Sequence, residues 1–200
     1  MARLAHEKLR KMKSNTTNKV RIGAGTWRSR IIRFPDADGL RPTPDRVRAT
    51  VFNWLGQSLT GKVCLDAFAG SGALGFEAAS RGAEKVFLCE SNALALTGLR
   101  ENATLLQASR CQIVAKDVLQ WLKNPPIKFD VVFCDPPFNT ALTEPFLTAV
   151  ATHLTPTGVV YLESGAPFGN NLMIGENYEV LKSSKAGAVH FGLLRLKPTG

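Results

Sequence analysis

From Lys62 onward, apolar runs of four to six residues alternate with longer stretches in which apolar residues recur at helical spacing. That alternation is the pattern of a parallel sheet built from βαβ units. The runs predict strands over 63–67, 86–89, 112–115, 130–134 and 159–162. The stretches between them predict helices over 73–81, closed by Gly82; 93–107; 118–122; and 142–154, stopped near Pro156. Two further apolar runs, 178–181 and 189–196, follow with no long helix between them. Such strands should pair antiparallel, giving an α/β, Rossmann-like, seven-stranded sheet with a reversed edge.

The chain before Lys62 has a different texture. Residues 1–19 are polar and basic with few large apolar side chains, the composition of a flexible arm. Over 20–34, Ile22, Trp27, Ile31, Ile32 and Phe34 are interleaved with Arg21, Arg28, Arg30 and Arg33 around Gly23 and Gly25, which predicts a small hairpin. Thr43 is placed to cap a helix and Pro44 suits its first position. That helix should run to about residue 55, burying Val47, Val51, Trp54 and Leu55, leaving Arg46 and Arg48 outside, and ending at Gly56. Three units are therefore expected: the arm 1–19, a hairpin and helix extension 20–61, and a Rossmann-like domain 62–200.

Charge sharpens this division. Of the net +9, residues 1–61 supply 13 Lys/Arg against 4 Asp/Glu, while the remainder carries 12 against 12. A basic extension on a neutral body suits a polyanion, and nucleic acid is the commonest one in the cytosol. Arg21, Arg28, Arg30, Arg41, Arg46 and Arg48 are the candidate RNA-binding residues. No apolar run reaches the 18 or so residues of a membrane span, and the N-terminus lacks a signal peptide's apolar stretch, so a cytoplasmic protein is expected. Cys64, Cys89, Cys111 and Cys134 share no CxxC spacing and fall in or beside apolar runs, as reduced core residues do. His6, His153 and His190 are scattered, and no metal is expected.

The chemistry gathers where the predicted strands end. Gly70, Gly72 and Gly75 form GxGxxG directly after a strand and at a helix start, and Glu90 stands 20 residues after Gly70 at the next strand tip. That context fits a nucleotide-type cofactor, with Glu90 accepting from a ribose diol. The glycines alone do not choose between NAD and S-adenosyl-L-methionine. Asp66 favours the latter, because a carboxylate beside the pocket attracts a methionine ammonium and repels a pyrophosphate. Asp117 is placed either to accept from an adenine amine or to cap the following helix. The candidate cofactor-binding residues are thus Asp66, Phe68, Gly70, Gly72, Glu90 and Asp117.

Asp135-Pro136-Pro137-Phe138 follows the fourth strand of the sheet. Both prolines lack an N–H, and Pro137 forces Pro136 into an extended conformation that keeps its carbonyl out of the ladder. The Asp135 carboxylate and that carbonyl would give two rigid acceptors for the two hydrogens of a base amine, with Phe138 as a stacking surface. A base amine is a poor nucleophile that becomes positive on attack, so a facing carboxylate and fixed positioning suffice without a covalent intermediate. Asp135, Pro136, Pro137 and Phe138 are the candidate catalytic residues.

Taken together, Arg41-Pro-Thr-Pro-Asp-Arg-Val-Arg, Phe52-Asn-Trp-Leu, Asp66-Ala-Phe-Ala-Gly-Ser-Gly-Ala-Leu-Gly and Asp135-Pro-Pro-Phe resemble the RsmD family of 16S ribosomal RNA guanine-N2 methyltransferases. The likeness runs from about Val20 to the C-terminus; Pro44 and Ala49 depart from the family's pattern. It implies a class I methyltransferase sheet, S-adenosyl-L-methionine as donor and a guanine of small-subunit RNA as acceptor. By position it assigns Asp66, Gly70, Gly72, Glu90 and Asp117 to the cofactor and residues 135–138 to the base. With no separate DNA-reading domain, the expected partner is 16S ribosomal RNA, naked or as an assembly particle, met by a monomer. The nearest alternative is adenine-N6 methylation of DNA or RNA. An NAD-dependent oxidoreductase and a non-catalytic RNA-binding protein are further readings, and the Asp-Pro-Pro-Phe motif speaks against both.

Overall fold

The computed structural model describes residues 18–35, 43–137, 141–168 and 172–198. The hairpin forms as expected, β1 (Asn18–Arg21) antiparallel to β2 (Ile31–Phe34), and α1 (Asp45–Trp54) follows it. Next come β3 (Val63–Asp66), α2 (Ala73–Ser80), β4 (Lys85–Glu90), α3 (Ala93–Leu106), β5 (Cys111–Ala115), α4 (Val118–Trp121), β6 (Phe129–Cys134) and α5 (Thr143–Ala151). The chain continues through β7 (Leu154–Ser164), α6 (Leu172–Asn177), β8 (Tyr178–Ala186) and β9 (Val189–Leu196).

Seven strands make one sheet in the order β5-β4-β3-β6-β7-β9-β8. The chain winds outward through β3, β4 and β5, then returns to place β6 on the other side of β3. The direction of winding therefore reverses between β3 and β6, and open α/β sheets bind ligands outside the carboxyl ends of the strands at such a point. The antiparallel pairing predicted for the last two strands is present. The reversed strand is not the edge, however: β9 inserts between β7 and β8, and β8, pairing only with β9, forms the outer rim.

Residues alternate cleanly between the two faces of the sheet. Cys64, Val86, Leu88, Val131, Phe133 and Tyr161 point to one side, where they share a core with Val20, Ile22, Ile32, Phe34, Val47, Val51 and Phe52. Leu65, Phe87, Cys89, Val132, Cys134 and Val160 point to the other, against Val118, Phe146, Leu147 and Val150. The N-terminal extension is thus one covering layer of the sheet. All four cysteines are free thiols and all but Cys111 are buried. Among the described residues no helix is long and apolar enough to cross a membrane.

Local expectations fail where long-range packing intervenes. Arg48, expected outside, is 4% exposed. Its Nη2 donates to the Arg21 carbonyl at 2.7 Å and its Nη1 to the Thr43 carbonyl at 3.4 Å, while Asp45 pairs with it at 3.1 Å. The guanidinium is drawn inward because the end of β1 presents the Arg21 carbonyl to α1. Phe52 is buried against Phe133, at 5.7 Å between ring centroids, whereas Trp54 is only half-buried and stacks on Phe191. Thr43 makes no capping bond; Pro44 is the N-cap and α1 begins at Asp45. The helix predicted over 142–154 stops at Ala151, because Leu154 starts β7 by pairing with Phe129.

Candidate active site

The turn after β3 is made by glycines in the left-handed region, Gly70 at φ 51° and Gly72 at φ 79°, the second serving as N-cap of α2. Gly70 N–H donates to Glu90 Oε2 at 2.8 Å. The other oxygen of Glu90 accepts from Ser91 N–H at 2.8 Å and Asn92 N–H at 2.7 Å, and the Asn92 side chain caps α3. Glu90 thereby ties the glycine turn to the start of α3. A carboxylate has about four acceptor positions, so one remains for a ligand hydroxyl.

Asp66, 3% exposed, lies beneath this turn with Oδ2 accepting from Gly75 N–H at 2.9 Å. Gly75 permits that approach: a Cβ there would stand 2.8 Å from Leu88 Cδ2 and 3.0 Å from Asp66 Oδ2. Burial pushes the Asp66 carboxyl up to about 7; the Gly75 N–H opposes the rise and the Glu90 charge adds to it.

A continuous cavity of about 610 Å³ opens over these ends. Asp66, Phe68, Gly70, Glu90, Asp117, Asp135, Pro136 and Pro137 all line it. The sheet therefore unites residues from Asp66 to Pro137, 71 positions apart in sequence. Asp117 lines the cavity and also accepts from Gln120 N–H at 3.0 Å, so the two roles foreseen for it are compatible. Phe68 is half-buried, its ring 5.6 Å from that of Phe146. Gly72 does not line the cavity; a Cβ on it would meet Phe76 at 2.5 Å and Leu99 at 2.7 Å, so its smallness serves helix packing. Phe138 and Arg41 lie outside the described residues. Arg21, Arg28, Arg30 and Arg46 are exposed, and Arg48 is not.

Two residues that sequence reasoning missed stand beside Asp135. Glu163, 6% exposed, accepts from the Tyr161 hydroxyl at 2.5 Å. Glu163 directly follows the predicted strand 159–162, so the criterion that selected Glu90, an acidic residue at a strand tip, would have found it. Thr43 lines the cavity and its hydroxyl donates to Asp135 Oδ2 at 3.5 Å. Burial and the Glu163 charge raise the Asp135 carboxyl well above the usual carboxylate range.

Known proteins share both sequence and architecture with this chain. The ribosomal RNA small subunit methyltransferase D of Haemophilus influenzae is 39% identical over 185 residues, covering 90% of this chain and 95% of that protein. The Escherichia coli protein of the same name is 34% identical over 194 residues, covering 96% and 98%. Among solved structures, the putative methyltransferase yhhF from Escherichia coli superposes with a TM-score of 0.79 at 33% identity, covering 90% of this chain and 99% of its own. The seven-stranded α/β sheet is thus that of class I methyltransferases. With a family model matching residues 20–195, from the hairpin to the last strand, the chain belongs to the family described as Conserved hypothetical protein 95.

Proposed function

We propose that the chain transfers a methyl group from S-adenosyl-L-methionine to the exocyclic N2 amine of a guanine in 16S ribosomal RNA. The observation that carries this reading is the single continuous cavity that Asp66 and Glu90 line together with Asp135-Pro136-Pro137. The donor supplies an electrophilic methyl carried on a positive sulfur. Asp66 would face its ammonium, Glu90 one of its ribose hydroxyls and Asp117 its adenine amine. The fit is supported by a buried carboxylate at Asp66 and by the acceptor capacity left on Glu90.

Across the cavity, Asp135 and the Pro136 carbonyl would accept the two amine hydrogens, with Phe138 stacked on the base. Asp135 then stabilises the positive charge growing on nitrogen, and the proline-framed backbone holds the amine in one orientation. Exposed Arg21, Arg28, Arg30 and Arg46, with Arg41 and the basic arm, would bind phosphates. The substrate is folded small-subunit RNA or an assembly particle, met in the cytoplasm by a monomer. We expect Asp135→Ala to abolish transfer while donor affinity, measured by calorimetry, stays within about threefold. Nucleoside mapping after reaction with labelled donor should yield N2-methylguanosine; N6-methyladenosine would replace the acceptor, and undiminished turnover would remove Asp135 from the chemistry.

A further inference from the structure

Three strands bring carboxylates to the ligand end of the sheet: Asp66 ends β3, Asp135 follows β6 and Glu163 stands next to last in β7. Cys134 pairs with Leu162, so Asp135 and Glu163 are neighbours on adjacent parallel strands. Glu163 is buried and does not line the cavity, which keeps it from touching a substrate there. Its donor is Tyr161, itself fully buried. Thr43 arrives from the opposite end of the sequence, 92 positions before Asp135, and is 5% exposed. Its carbonyl is held by Arg48, whose guanidinium also holds the Arg21 carbonyl of β1. A buried cation thus anchors a hydroxyl of the N-terminal extension against the acidic pair.

Two carboxylates this near, with little water, resist carrying charge together. Accepting amine hydrogens requires that Asp135 be the ionised member. A hydroxyl donating to Asp135 favours charge there, and a charge on Glu163 opposes it. We propose that Thr43 and Glu163 are positioning residues that govern whether Asp135 is in its acceptor form, so that the N-terminal extension completes the active site through Thr43. The inference rests on the methyl-transfer reading and extends it to residues outside the Asp-Pro-Pro-Phe motif. The other titratable or charged groups around Asp135 are Asp66 from β3, the Cys134 thiol beside it, and Tyr161 from β7, with the Arg48 guanidinium behind Thr43. Burial lifts the Glu163 carboxyl too, opposed by the Tyr161 hydroxyl and by the Thr43 hydroxyl, whose single hydrogen the two carboxylates compete for and which lies toward Asp135 Oδ2.

The test is methyl transfer from tritiated S-adenosyl-L-methionine to purified 16S RNA, and to small-subunit particles from cells lacking the enzyme, between about pH 5.5 and 9. Thr43→Val should move the acid limb of kcat up by about one pH unit and lower kcat near neutrality about tenfold, with donor affinity and KM for RNA unchanged. Thr43→Ser should restore both. Glu163→Gln removes the opposing charge and should move the limb down. Superimposable pH profiles, a Glu163→Gln limb moving upward, or a Thr43→Val defect that serine does not rescue would each overturn the proposal while transfer by the parent chain still supports the methyl-transfer reading. Absence of transfer by a donor-binding parent on both substrates would overturn that reading and this proposal with it.

Discussion

Asp66 shows how one residue joins stability to binding. Its carboxyl is buried beneath the glycine turn, and burial outweighs the Gly75 N–H that favours the charged form. In the unfolded chain the group releases its proton near 3.8; in the folded protein it keeps it up to about 7. Between these values the folded state binds more protons than the unfolded one. Folding stability contributed by Asp66 is therefore full below the lower value and lost as pH rises through the upper one. Asp66→Asn keeps an acceptor for Gly75 N–H and cannot ionise. Its melting temperature, relative to the parent without donor, should rise by about 5 °C between pH 5 and 8. A difference that stays constant with pH would assign the titration elsewhere.

At the scale of elements, the extension is bolted to the sheet by a few polar side chains. Glu77 on α2, 2% exposed, accepts from Gly23 N–H at 2.7 Å, Ala24 N–H at 3.1 Å and Arg81 Nε at 2.8 Å. Ser80 accepts from Trp27 N–H and donates to the Ala24 carbonyl, and Asn102 on α3 bonds both backbone groups of Arg33. Gly25, at φ 81°, lies directly on the Ser80 carbonyl, where no Cβ fits. Removing Glu77 would leave two amides and the Arg81 Nε without their acceptor and take the buried counter-charge from the Arg81 guanidinium, which keeps only its Nη1 bonds to Gln57. Glu77→Ala should accordingly cost about 3 kcal/mol or more in urea unfolding; a cost below about 1 kcal/mol would show that the hairpin is held by its apolar face alone. Sequence periodicity located these elements but not their fastenings. Glu77 and Asn102 look like ordinary solvent-facing helix residues until the hairpin is placed against them.

For the whole molecule, the unequal division of charge sets how a polyanion would be held. Residues 1–19 contain six Lys/Arg and one Asp/Glu, and the hairpin arginines Arg21, Arg28 and Arg30 are exposed. Deleting residues 1–19 should weaken binding to 16S RNA and flatten the dependence of log K on log salt by about 0.7–0.9 for each phosphate that the arm neutralises. An unaltered slope in filter-binding titrations would leave the hairpin arginines as the whole electrostatic handle. Residues 62–200 carry no net charge, and their carboxylates Asp66, Asp135 and Glu163 converge at the ligand end of the sheet, apart from the basic N-terminal residues in sequence.

Much of this was legible in one dimension, because strands, helices and the glycine turn each impose a local periodicity or a residue type demanded by backbone geometry. The seven strands, the hairpin, GxGxxG with Glu90, and the Asp-Pro-Pro motif all follow from such local rules. Tertiary structure alone decided which strand tips meet. Strand order makes Asp135 a neighbour of Glu163, the Arg21 carbonyl of the hairpin turns Arg48 inward, and Thr43 comes to line the cavity beside Asp135. Each of these depends on residues 27 to 92 positions apart meeting in space, and no local periodicity reports on separations of that range.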